Sequence, residues 1–232
     1  MLYALIIAGG EGERLRPYTW DRPKPMVPVN GRPILEYQVL WLKSQGVTHI
    51  VMLCHYKAEV VQEHFGDGSR FGVHITYTVE PEPLGRGGAL RLGYQQVPPD
   101  QEVVIGLNGD IITNQRLAPL LAYHRRKGAT ATVMLVPLMS PYGVVRVGRD
   151  GHISQFLEKP PLPYWINAGI YVLSPEFFAR LPEKGDHETT TFPALAAEGK
   201  LFGYRSRAYW RAVDTVKDLR EAEAEVKALA LT

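Results

Sequence analysis

Residues 2–16, with the sequence LYALIIAGGEGERLR, decide the fold class of this chain. Residues 2–8 form a continuous apolar run that ends in a glycine-rich turn, and residues 34–42 carry apolar side chains at helical spacing. This order predicts a buried strand, a loop and a helix. The apolar run is far shorter than the roughly 20 residues of a membrane-spanning helix. We therefore predict a strand rather than a signal peptide, no membrane association, and a cytoplasmic protein.

Strand and helix patterns continue to alternate up to residue 127. The predicted strands are 48–54, 73–79 and 102–107, and the predicted helices are 58–65, 87–96 and 117–127. Such alternation is typical of a Rossmann-like α/β fold, a mostly parallel sheet flanked by helices. Ligands bind such sheets outside the carboxyl ends of the strands. We therefore expect functional residues directly after residues 8, 79 and 107.

The second part of the chain has a different pattern, with shorter strands and tight turns. We predict strands at 130–136, 144–147, 153–157 and 166–173 and a helix at 216–229. No Ser/Gly-rich or charged linker separates this smaller mixed α/β part from the first part. We therefore predict one domain, 1–232, with a boundary between its two parts near residue 127 and one sheet shared by both.

Charge and cysteine content exclude several classes of function. The chain has 26 Lys and Arg against 24 Asp and Glu, a formal net charge of +2, and no long run of either sign. This balance gives no electrostatic footprint for nucleic acid or for an anionic membrane. Cys54 is the single cysteine, so an intrachain disulfide and a cysteine-based zinc site are excluded.

The glycine-rich loop after the first strand is a candidate anion site. Backbone N–H groups at Gly9, Gly10 and Gly12 can approach a phosphate closely. A P-loop is excluded because no Gly-Lys-Ser/Thr follows, and Leu15 stands where a dinucleotide fingerprint needs glycine. An ordinary strand-to-helix turn stays open as the alternative.

Two cations follow this loop. Arg14 offers a planar fork for phosphate oxygens, and Lys24 offers a point charge on a segment that Pro23 and Pro25 stiffen. Both suit a polyphosphate ligand. The alternative is that each is an ordinary solvated surface cation.

Asp110 is the candidate metal ligand. It comes shortly after the apolar residues 103–107, so we expect its carboxylate at the carboxyl end of a strand. Mg²⁺ with few protein ligands and several phosphate or water oxygens suits such a position. A turn or helix-capping role for Asn108 and Asp110 is the alternative.

Other residues with reactive groups stay outside the predicted site. Cys54 and His55 are neighbours on a strand and point to opposite faces, so we do not expect a nucleophilic pair. We expect His187 and Glu188 in a solvated loop. Aromatic residues near strands are more often packing residues than sugar ligands, and the chain has two such pairs: Tyr164–Trp165 and Tyr209–Trp210.

These motifs together resemble the sugar-1-phosphate nucleotidyltransferase family. The opening residues 8–19, AGGEGERLRPYT, and residues 23–29, PKPMVPV, are similar to the opening of that family. Five further matches follow in the family's order: EPEPLGRGGA (80–89), NGD (108–110), YGVV (142–145), EKP (158–160) and NAGIY (167–171). The resemblance covers nearly the whole chain and implies a GT-A-like nucleotidyltransferase fold.

The resemblance implies that an NTP reacts with a sugar 1-phosphate, with Mg²⁺ as cofactor and pyrophosphate as the leaving group. It places nucleotide binding near residues 1–127 and sugar-phosphate binding near residues 128–232. The implied catalytic residues are Arg14, Lys24, Asp110 and Lys159. The implied nucleotide-binding residues are Ala8, Gly9, Gly10, Gly12, Glu80, Pro83, Gly85 and Gly88. The implied sugar-phosphate-binding residues are Asn108, Gly109, Gly143, Glu158, Lys159 and Asn167.

The sequence departs from the family pattern at two points. Relatives of the mannose-1-phosphate guanylyltransferase group usually carry Thr-Ala-Gly where this chain has Arg86-Gly87-Gly88. The usual Trp-x-Asp-x-Gly element is altered to residues 210–215, WRAVDT, and alignment on the carboxylate makes Asp214 the second metal ligand. The resemblance is to members without a C-terminal β-helix domain, so no acetyl transfer is expected.

Glu80 bears on the choice of base. An ionised carboxylate only accepts hydrogen bonds, and guanine offers two adjacent donors, N1–H and the 2-amino group. We therefore predict GTP as the nucleotide, with mannose 1-phosphate as acceptor by resemblance alone. Thymidylyl, uridylyl or cytidylyl transfer to glucose 1-phosphate, GDP-heptose formation and a non-catalytic nucleotide-sugar sensor stay open. The oligomeric state also stays open, with a homodimer as one alternative.

Overall fold

A computed structural model describes residues 1–229; residues 230–232 of the predicted domain lie outside the described residues. The strands are β1 (Tyr3–Ile7), β2 (Pro28–Val29), β3 (Arg32–Pro33), β4 (His49–Cys54), β5 (His74–Val79), β6 (Val104–Asn108), β7 (Ile111–Thr113), β8 (Ala131–Met139), β9 (Val144–Val147), β10 (Ile153–Leu157), β11 (Pro161–Leu173), β12 (Leu201–Arg205) and β13 (Trp210–Ala212). The helices are α1 (Ile34–Ser44), α2 (Ala58–Phe65), α3 (Gly85–Tyr94), α4 (Leu117–Lys127), α5 (Pro175–Ala179), α6 (Thr191–Ala197) and α7 (Val216–Ala228).

The central sheet has seven strands in the order β12-β8-β11-β6-β1-β4-β5. Strands β6, β1, β4 and β5 are parallel, and β8 and β12 are parallel to each other. Strand β11 pairs antiparallel with both β6 and β8, which makes it the one reversed strand of this sheet. The predicted mostly parallel α/β fold is confirmed, and both parts of the chain share the sheet.

Alternating side chains of the strands pack on opposite faces of the sheet. Ile6 contributes to the apolar core beneath α1, α2 and α4, whereas its neighbour Leu5 contributes to the core beneath α3, α5 and α6. A third apolar cluster lies under α7 and includes Leu15 and Val213. Within residues 1–229, no helix is both long enough and apolar enough to cross a lipid bilayer.

The sheet direction determines which loops meet. The carboxyl ends of the parallel strands and the beginning of the reversed strand β11 lie at the same edge of the sheet. The loops that follow β1, β5 and β6 therefore gather at this edge, together with the segment between β8 and β11. The two-stranded β9–β10 hairpin forms part of that segment and pairs outside the central sheet.

The prediction of a solvated loop at His187 and Glu188 is wrong. His187 is fully buried, and its ring packs edge-on against Tyr171 and Phe192 at centroid distances of 5.5 and 4.8 Å. Burial lowers the pKa of His187 to about 4, since the interior disfavours the charged imidazolium. Glu188 is mostly buried as well, with 25% of its side chain exposed.

Candidate active site

Lys24, Asp110 and Asp214 meet at the carboxyl edge of the sheet. The Lys24 ammonium donates a hydrogen bond to Asp110 and lies 2.6 Å from Oδ1 of Asp214. Arg14 donates to the same Asp214 oxygen at 2.7 Å. The structure therefore brings together four residues that the sequence analysis selected from three separate segments of the chain.

Backbone pairing positions the two carboxylates. Asp110 lies in the turn between β6 and β7, and its carbonyl accepts a hydrogen bond from the Val213 N–H at 3.0 Å. Strand β13 pairs antiparallel with β7, so Asp214 follows directly beside this turn. Thr215 then caps α7, and its side chain and backbone exchange hydrogen bonds with Asp218. Asp214 is thus placed between a paired strand and a capped helix, which limits the positions its carboxylate can take.

The charge balance favours an ionised Lys24. Burial disfavours the ammonium, but the Asp110 and Asp214 carboxylates outweigh this effect and raise the pKa of Lys24 above its ordinary value. The Lys24 side chain is 13% exposed, whereas the Arg14 side chain is 71% exposed. Lys24 is therefore held in place, and Arg14 remains open to a ligand that arrives from solvent.

The glycine-rich loop is folded against Lys24. The Lys24 N–H donates to the Gly10 carbonyl at 3.0 Å, and the Thr19 hydroxyl donates to the Gly12 carbonyl at 3.0 Å. Gly12 has φ +67°, and a Cβ there would lie 2.7 Å from Cβ of Lys24. Gly10 is exposed, and a Cβ there would meet no atom within 4 Å. The loop thus has open space at Gly10 for a ligand.

Ala8 and Gly9 directly precede the open part of the loop at Gly10. Ala8 is fully buried, and its N–H already donates to the Leu53 carbonyl at 2.8 Å. A Cβ at Gly9 would lie 2.9 Å from the backbone nitrogen of His55. In this conformation Ala8 has no free N–H to offer a ligand, and Gly9 allows the loop to approach the segment after β4.

The segment after β5 begins with Glu80, which is buried, with 9% of the residue exposed. One carboxylate oxygen of Glu80 accepts a hydrogen bond from the Leu84 N–H at 2.9 Å. Burial raises the pKa of Glu80, and this effect outweighs the Leu84 hydrogen bond and the nearby His55. The other carboxylate oxygen of Glu80 takes no part in the hydrogen bond with the Leu84 N–H. Pro83, which was selected with Glu80, is exposed at the same loop.

The glycines at the start of α3 pack against another backbone segment. Gly85 has φ +74°, and a Cβ there would lie 2.6 Å from the Gly185 carbonyl oxygen. A Cβ at Gly88 would lie 2.5 Å from the Glu183 carbonyl oxygen. Close packing against residues 183–185 therefore explains why both positions are glycine, independently of any nucleotide.

Asn108 and Gly109 directly precede Asp110, and β11, which carries Asn167, passes close to this turn. The Gln38 side chain donates to the Asn108 carbonyl at 2.8 Å, and the Gly109 N–H donates to the Ile7 carbonyl at 2.9 Å. A Cβ at Gly169 would lie 2.6 Å from Nδ2 of Asn108, so β11 passes close to this turn. Asn167 is exposed two residues earlier on the same strand.

Gly143, Glu158 and Lys159 form a separate group at the β9–β10 hairpin. A Cβ at Gly143 would lie 3.3 Å from Oε2 of Glu158 and 2.7 Å from the Phe156 ring. Lys159 has φ +46°, a conformation that non-glycine residues adopt rarely, and its ammonium lies 3.8 Å from Glu158. Among the described residues 1–229, no hydrogen bond or ion pair joins this group to Lys24 or the two aspartates. The predicted site residues therefore lie in three groups: around Lys24 and the two aspartates, at the loop after β5, and at the β9–β10 hairpin.

A network around Glu188 was not predicted from the sequence. Oε1 of Glu188 accepts hydrogen bonds from Asn167 at 2.9 Å and from the Tyr171 hydroxyl at 3.0 Å, and Nη1 of Arg86 lies 2.8 Å away. Arg86 also donates to Asp186, with its Nε at 2.7 Å. The departure at Arg86 was the one available signal, because an arginine in a glycine-rich loop needs a carboxylate partner when it is buried.

Three other features lie outside these groups. Burial raises the pKa of the Cys54 thiol to about 12, which disfavours a thiolate. Trp210 donates to the Ala168 carbonyl at 2.8 Å, and the Arg205 guanidinium lies 5.1 Å from the Trp165 ring centroid. A cavity of about 670 Å³ lies between the ends of β8 and β11, lined largely by apolar and aromatic side chains that include Tyr164.

The residues present fit a magnesium ion. Asp110 and Asp214 already share one cation, the Lys24 ammonium, so their carboxylates converge on a position that favours positive charge. Hard oxygen donors are what Mg²⁺ binds, and it commonly takes one or two protein carboxylates and completes its shell with phosphate and water oxygens. Within residues 1–229, no group of three or more His, Cys, Asp or Glu side chains forms a denser candidate metal site.

Comparison with known proteins gives the family. The family described as nucleotidyl transferase matches residues 3–228. The chain is 36% identical to a mannose-1-phosphate guanylyltransferase of Mycobacterium tuberculosis, with 96% of this chain and 64% of the relative covered. It is 38% identical to a mannose-1-phosphate guanyltransferase of Pichia angusta, with 92% and 61% covered. The chain therefore spans somewhat less than two thirds of the length of these curated relatives.

Solved structures with the same fold support this assignment. A putative glucose-1-phosphate thymidylyltransferase from Bacillus anthracis, in complex with a sucrose, aligns with a TM-score of 0.79 and 25% identity over 98% of this chain and 96% of that chain. HddC from Yersinia pseudotuberculosis, complexed with GMP-PN, aligns with a TM-score of 0.75 and 26% identity over 97% and 99% of the two chains. With a family match that runs almost from end to end, this chain belongs to the nucleotidyl transferase family.

Proposed function

We propose that this protein transfers a nucleoside monophosphate from an NTP to a sugar 1-phosphate. The observation that carries the proposal is the convergence of Asp110, Asp214, Lys24 and Arg14 beside the glycine-rich loop. Two carboxylates and two cations at one loop suit a metal-bound triphosphate, because phosphoryl transfer depends mainly on positioning and charge neutralisation. The names of the relatives support the sugar 1-phosphate as the second substrate.

The chain's own residues have distinct roles in this reaction. An oxygen of the sugar phosphate attacks the α-phosphorus in line, and the bond from that phosphorus to the β-phosphate oxygen breaks. The bonding electron pair leaves with pyrophosphate, so no protein nucleophile is needed. The exposed Arg14 guanidinium and the loop amides neutralise the leaving pyrophosphate, and Lys24 supports charge at the α-phosphate. Lys159, on its exposed turn, binds the phosphate of the sugar.

Asp110 and Asp214 are the residues that would hold Mg²⁺ in this protein. Once bound, the ion supplies charge neutralisation for the phosphate oxygens. In the structure described here Lys24 balances the two carboxylates instead.

GTP and mannose 1-phosphate are the proposed substrates. Glu80 is buried at the start of an exposed loop, and the hydrogen bond from the Leu84 N–H uses one of its two carboxylate oxygens, which leaves the other for base donors in this proposal. The guanylyltransferase names of the relatives and the GMP-PN complex of HddC agree with guanine. The second candidate is thymidylyl transfer to glucose 1-phosphate, which the Bacillus anthracis neighbour favours. Action in the cytoplasm and association into a homodimer stay predictions.

A pyrophosphate-release assay tests the proposal directly. It combines GTP, dTTP, UTP, CTP and ATP with mannose 1-phosphate, glucose 1-phosphate and a heptose 1-phosphate, each with Mg²⁺. We expect the highest kcat/KM for GTP with mannose 1-phosphate. Faster turnover with dTTP and glucose 1-phosphate would support the second candidate instead. Nucleotide binding without pyrophosphate release for any pair would reject the transferase and support a sensor that keeps the fold.

A further inference from the structure

The network at Glu188 connects two segments that have different roles in the proposed reaction. Arg86 belongs to the loop and helix after Glu80, on the nucleotide side. Asn167 belongs to β11, on the sugar side. Nη1 of Arg86 lies 2.8 Å from Oε1 of Glu188, and the side-chain nitrogen of Asn167 donates to the same oxygen at 2.9 Å. A single carboxylate oxygen therefore bridges the base-side loop and the sugar-side strand.

Asn167 has no donor left for a sugar in this arrangement. Its side-chain nitrogen carries two hydrogens, and these go to the Tyr171 hydroxyl at 3.0 Å and to Oε1 of Glu188. Its side-chain oxygen accepts from the Gly169 N–H at 2.8 Å. The side chain predicted to bind the sugar is thus occupied in holding Glu188 and the backbone of β11.

Glu188 has one carboxylate oxygen free. Asn167, Tyr171 and Arg86 all converge on Oε1, and no donor within residues 1–229 forms a hydrogen bond with Oε2. Two hydrogen bonds and one ion pair at the same oxygen fix the orientation of the carboxylate. Since 25% of the Glu188 side chain is exposed beside the exposed Asn167, a ligand on the sugar side can reach this carboxylate.

The local charge indicates which ligand group fits. Arg86 carries one positive charge, while Asp186 and Glu188 together carry two negative charges, so the network has a net charge of −1. A negative group disfavours phosphate oxygens and favours neutral O–H donors. An ionised carboxylate only accepts hydrogen bonds, and the hydroxyl groups of a sugar ring are such donors.

We propose that Glu188 binds a hydroxyl group of the acceptor sugar through its free carboxylate oxygen, and that Arg86 is the positioning residue that holds Glu188 there. This inference rests on the proposed function and adds the residue that discriminates between sugars. Asp186 supports the arrangement, because it accepts from Nε of Arg86 at 2.7 Å and from the Glu188 N–H at 2.9 Å. Arg86 belongs to the nucleotide side of the site, and it thereby positions the residue that contacts the sugar.

The variants Glu188→Gln, Glu188→Ala and Arg86→Lys test the proposal. We expect the two Glu188 variants to raise KM and the calorimetric Kd for the sugar phosphate by about tenfold to a hundredfold, the range for a hydrogen bond to a charged group. KM for the NTP should stay within about twofold. Arg86→Lys keeps the charge but loses the fork that reaches two carboxylates, so it should raise KM for the sugar phosphate with kcat changed less.

Lys184→Ala is the matched control. Lys184 pairs with Glu82 at 2.8 Å and joins the same two segments as Arg86, but this pair is largely exposed. The control removes an ion pair between those segments and leaves the Glu188 network intact. Both KM values should equal those of the wild-type protein. If Lys184→Ala raises KM for the sugar phosphate as much as Arg86→Lys does, then packing between the two segments causes the rise. That result would overturn the positioning role of Arg86.

Monodeoxy sugar phosphates identify the contacted hydroxyl. With mannose 1-phosphate or glucose 1-phosphate, whichever the wild-type protein binds more tightly, removal of one hydroxyl should cost about tenfold or more in affinity. That penalty should disappear in Glu188→Ala, as a double-mutant cycle requires for a direct contact. An unchanged penalty in a folded Glu188→Ala would overturn the proposal. Calorimetry measures binding without turnover. If the protein binds sugar phosphate but releases no pyrophosphate, the transferase proposal is rejected, and the binding data still test the role of Glu188.

Discussion

The Nζ atom of Lys24 lies 2.6 Å from Oδ1 of Asp214, although 190 residues separate them in the sequence. The same ammonium bonds to Asp110 from the other side. Attraction between oppositely charged side chains thus holds the candidate site together. The predictions about this site therefore separate effects on stability from effects on turnover.

Asp110→Asn and Asp214→Asn should each abolish turnover while the protein stays folded. A neutral amide cannot replace a carboxylate on Mg²⁺, but it retains the shape and can accept a hydrogen bond from Lys24. Pyrophosphate release measures the activity, and circular dichroism checks the fold. Asp100→Asn, at an exposed turn, is the control and should be fully active. Normal turnover in Asp214→Asn alone would show that the altered final motif was aligned wrongly.

Arg14→Ala and Lys24→Ala should each reduce kcat by about two orders of magnitude, the scale for a group that stabilises transition-state charge. The two variants should differ in stability. The Arg14 side chain is 71% exposed, so its loss should leave Tm unchanged, whereas loss of Lys24 removes the ammonium that Asp110 and Asp214 share and should lower Tm. Arg16→Ala, also at the surface of this loop, is the control. Normal kcat and kcat/KM in Arg14→Ala would show that Arg14 is an ordinary solvated surface cation.

Glu80→Gln should narrow the preference for GTP over other nucleotides by about 1 to 3 kcal/mol, the cost of a buried donor without a partner. The amide can still accept from the Leu84 N–H, so the loop should keep its conformation. Because burial raises the pKa of Glu80, the ionised acceptor should be lost at a higher pH than for an exposed glutamate. In the wild-type enzyme, kcat/KM for GTP should therefore fall as the pH is lowered toward this raised pKa. Glu80→Gln should lack that part of the pH profile; an identical profile in both enzymes would remove Glu80 from base recognition.

His124 and His187 should make the protein less stable in mild acid. Burial lowers the pKa of each from 6.5 to about 4, so the unfolded chain binds more protons between these values. Their contribution is complete above pH 6.5 and is lost as the pH falls toward 4, up to roughly 3 kcal/mol for each. Urea unfolding at pH 7.5 and pH 5 measures this difference.

His187→Phe should reduce that pH dependence. Within residues 1–229, neither ring nitrogen of His187 has a hydrogen-bond partner, and the ring packs against Tyr171 and Phe192. An apolar ring removes both unsatisfied polar atoms, so stability at pH 7.5 should stay equal or rise. His124→Phe is the contrasting variant, since His124 bonds to Thr132 at 2.9 Å and to Ser174 at 3.0 Å and should lose stability. An unchanged pH dependence in His187→Phe would contradict the assignment.

Periodicity in the sequence predicted the long and strongly patterned elements well. Two helices have the predicted bounds, α2 (Ala58–Phe65) and α4 (Leu117–Lys127), because each pairs an apolar face with a clear end. Short elements such as α5 and β13 were not predicted. Five or three residues are too few to show a period, and these elements depend on tertiary packing and pairing with other strands.

The candidate site was predictable only where local sequence carries the signal. The glycine-rich loop and Asp110 follow apolar strands, so their position at the sheet edge follows from the pattern alone. Asp214 needed the family resemblance, since its own segment shows no comparable pattern. The pairing of Arg86 with Asp186 and Glu188 joins residues about 100 positions apart, and no local pattern indicates such a partner. His187 was misjudged because a polar residue in a turn-rich segment is usually solvated.

Strand β11 has a consequence for cooperativity. It is hydrogen-bonded to β6 of the first part and to β8 of the second part, so neither part has a complete sheet without it. Separate melting of one part would expose unpaired backbone groups of the other. We therefore expect one calorimetric transition whose van't Hoff and calorimetric enthalpies agree. Loss of either substrate subsite through heating would then accompany loss of the other at the same temperature.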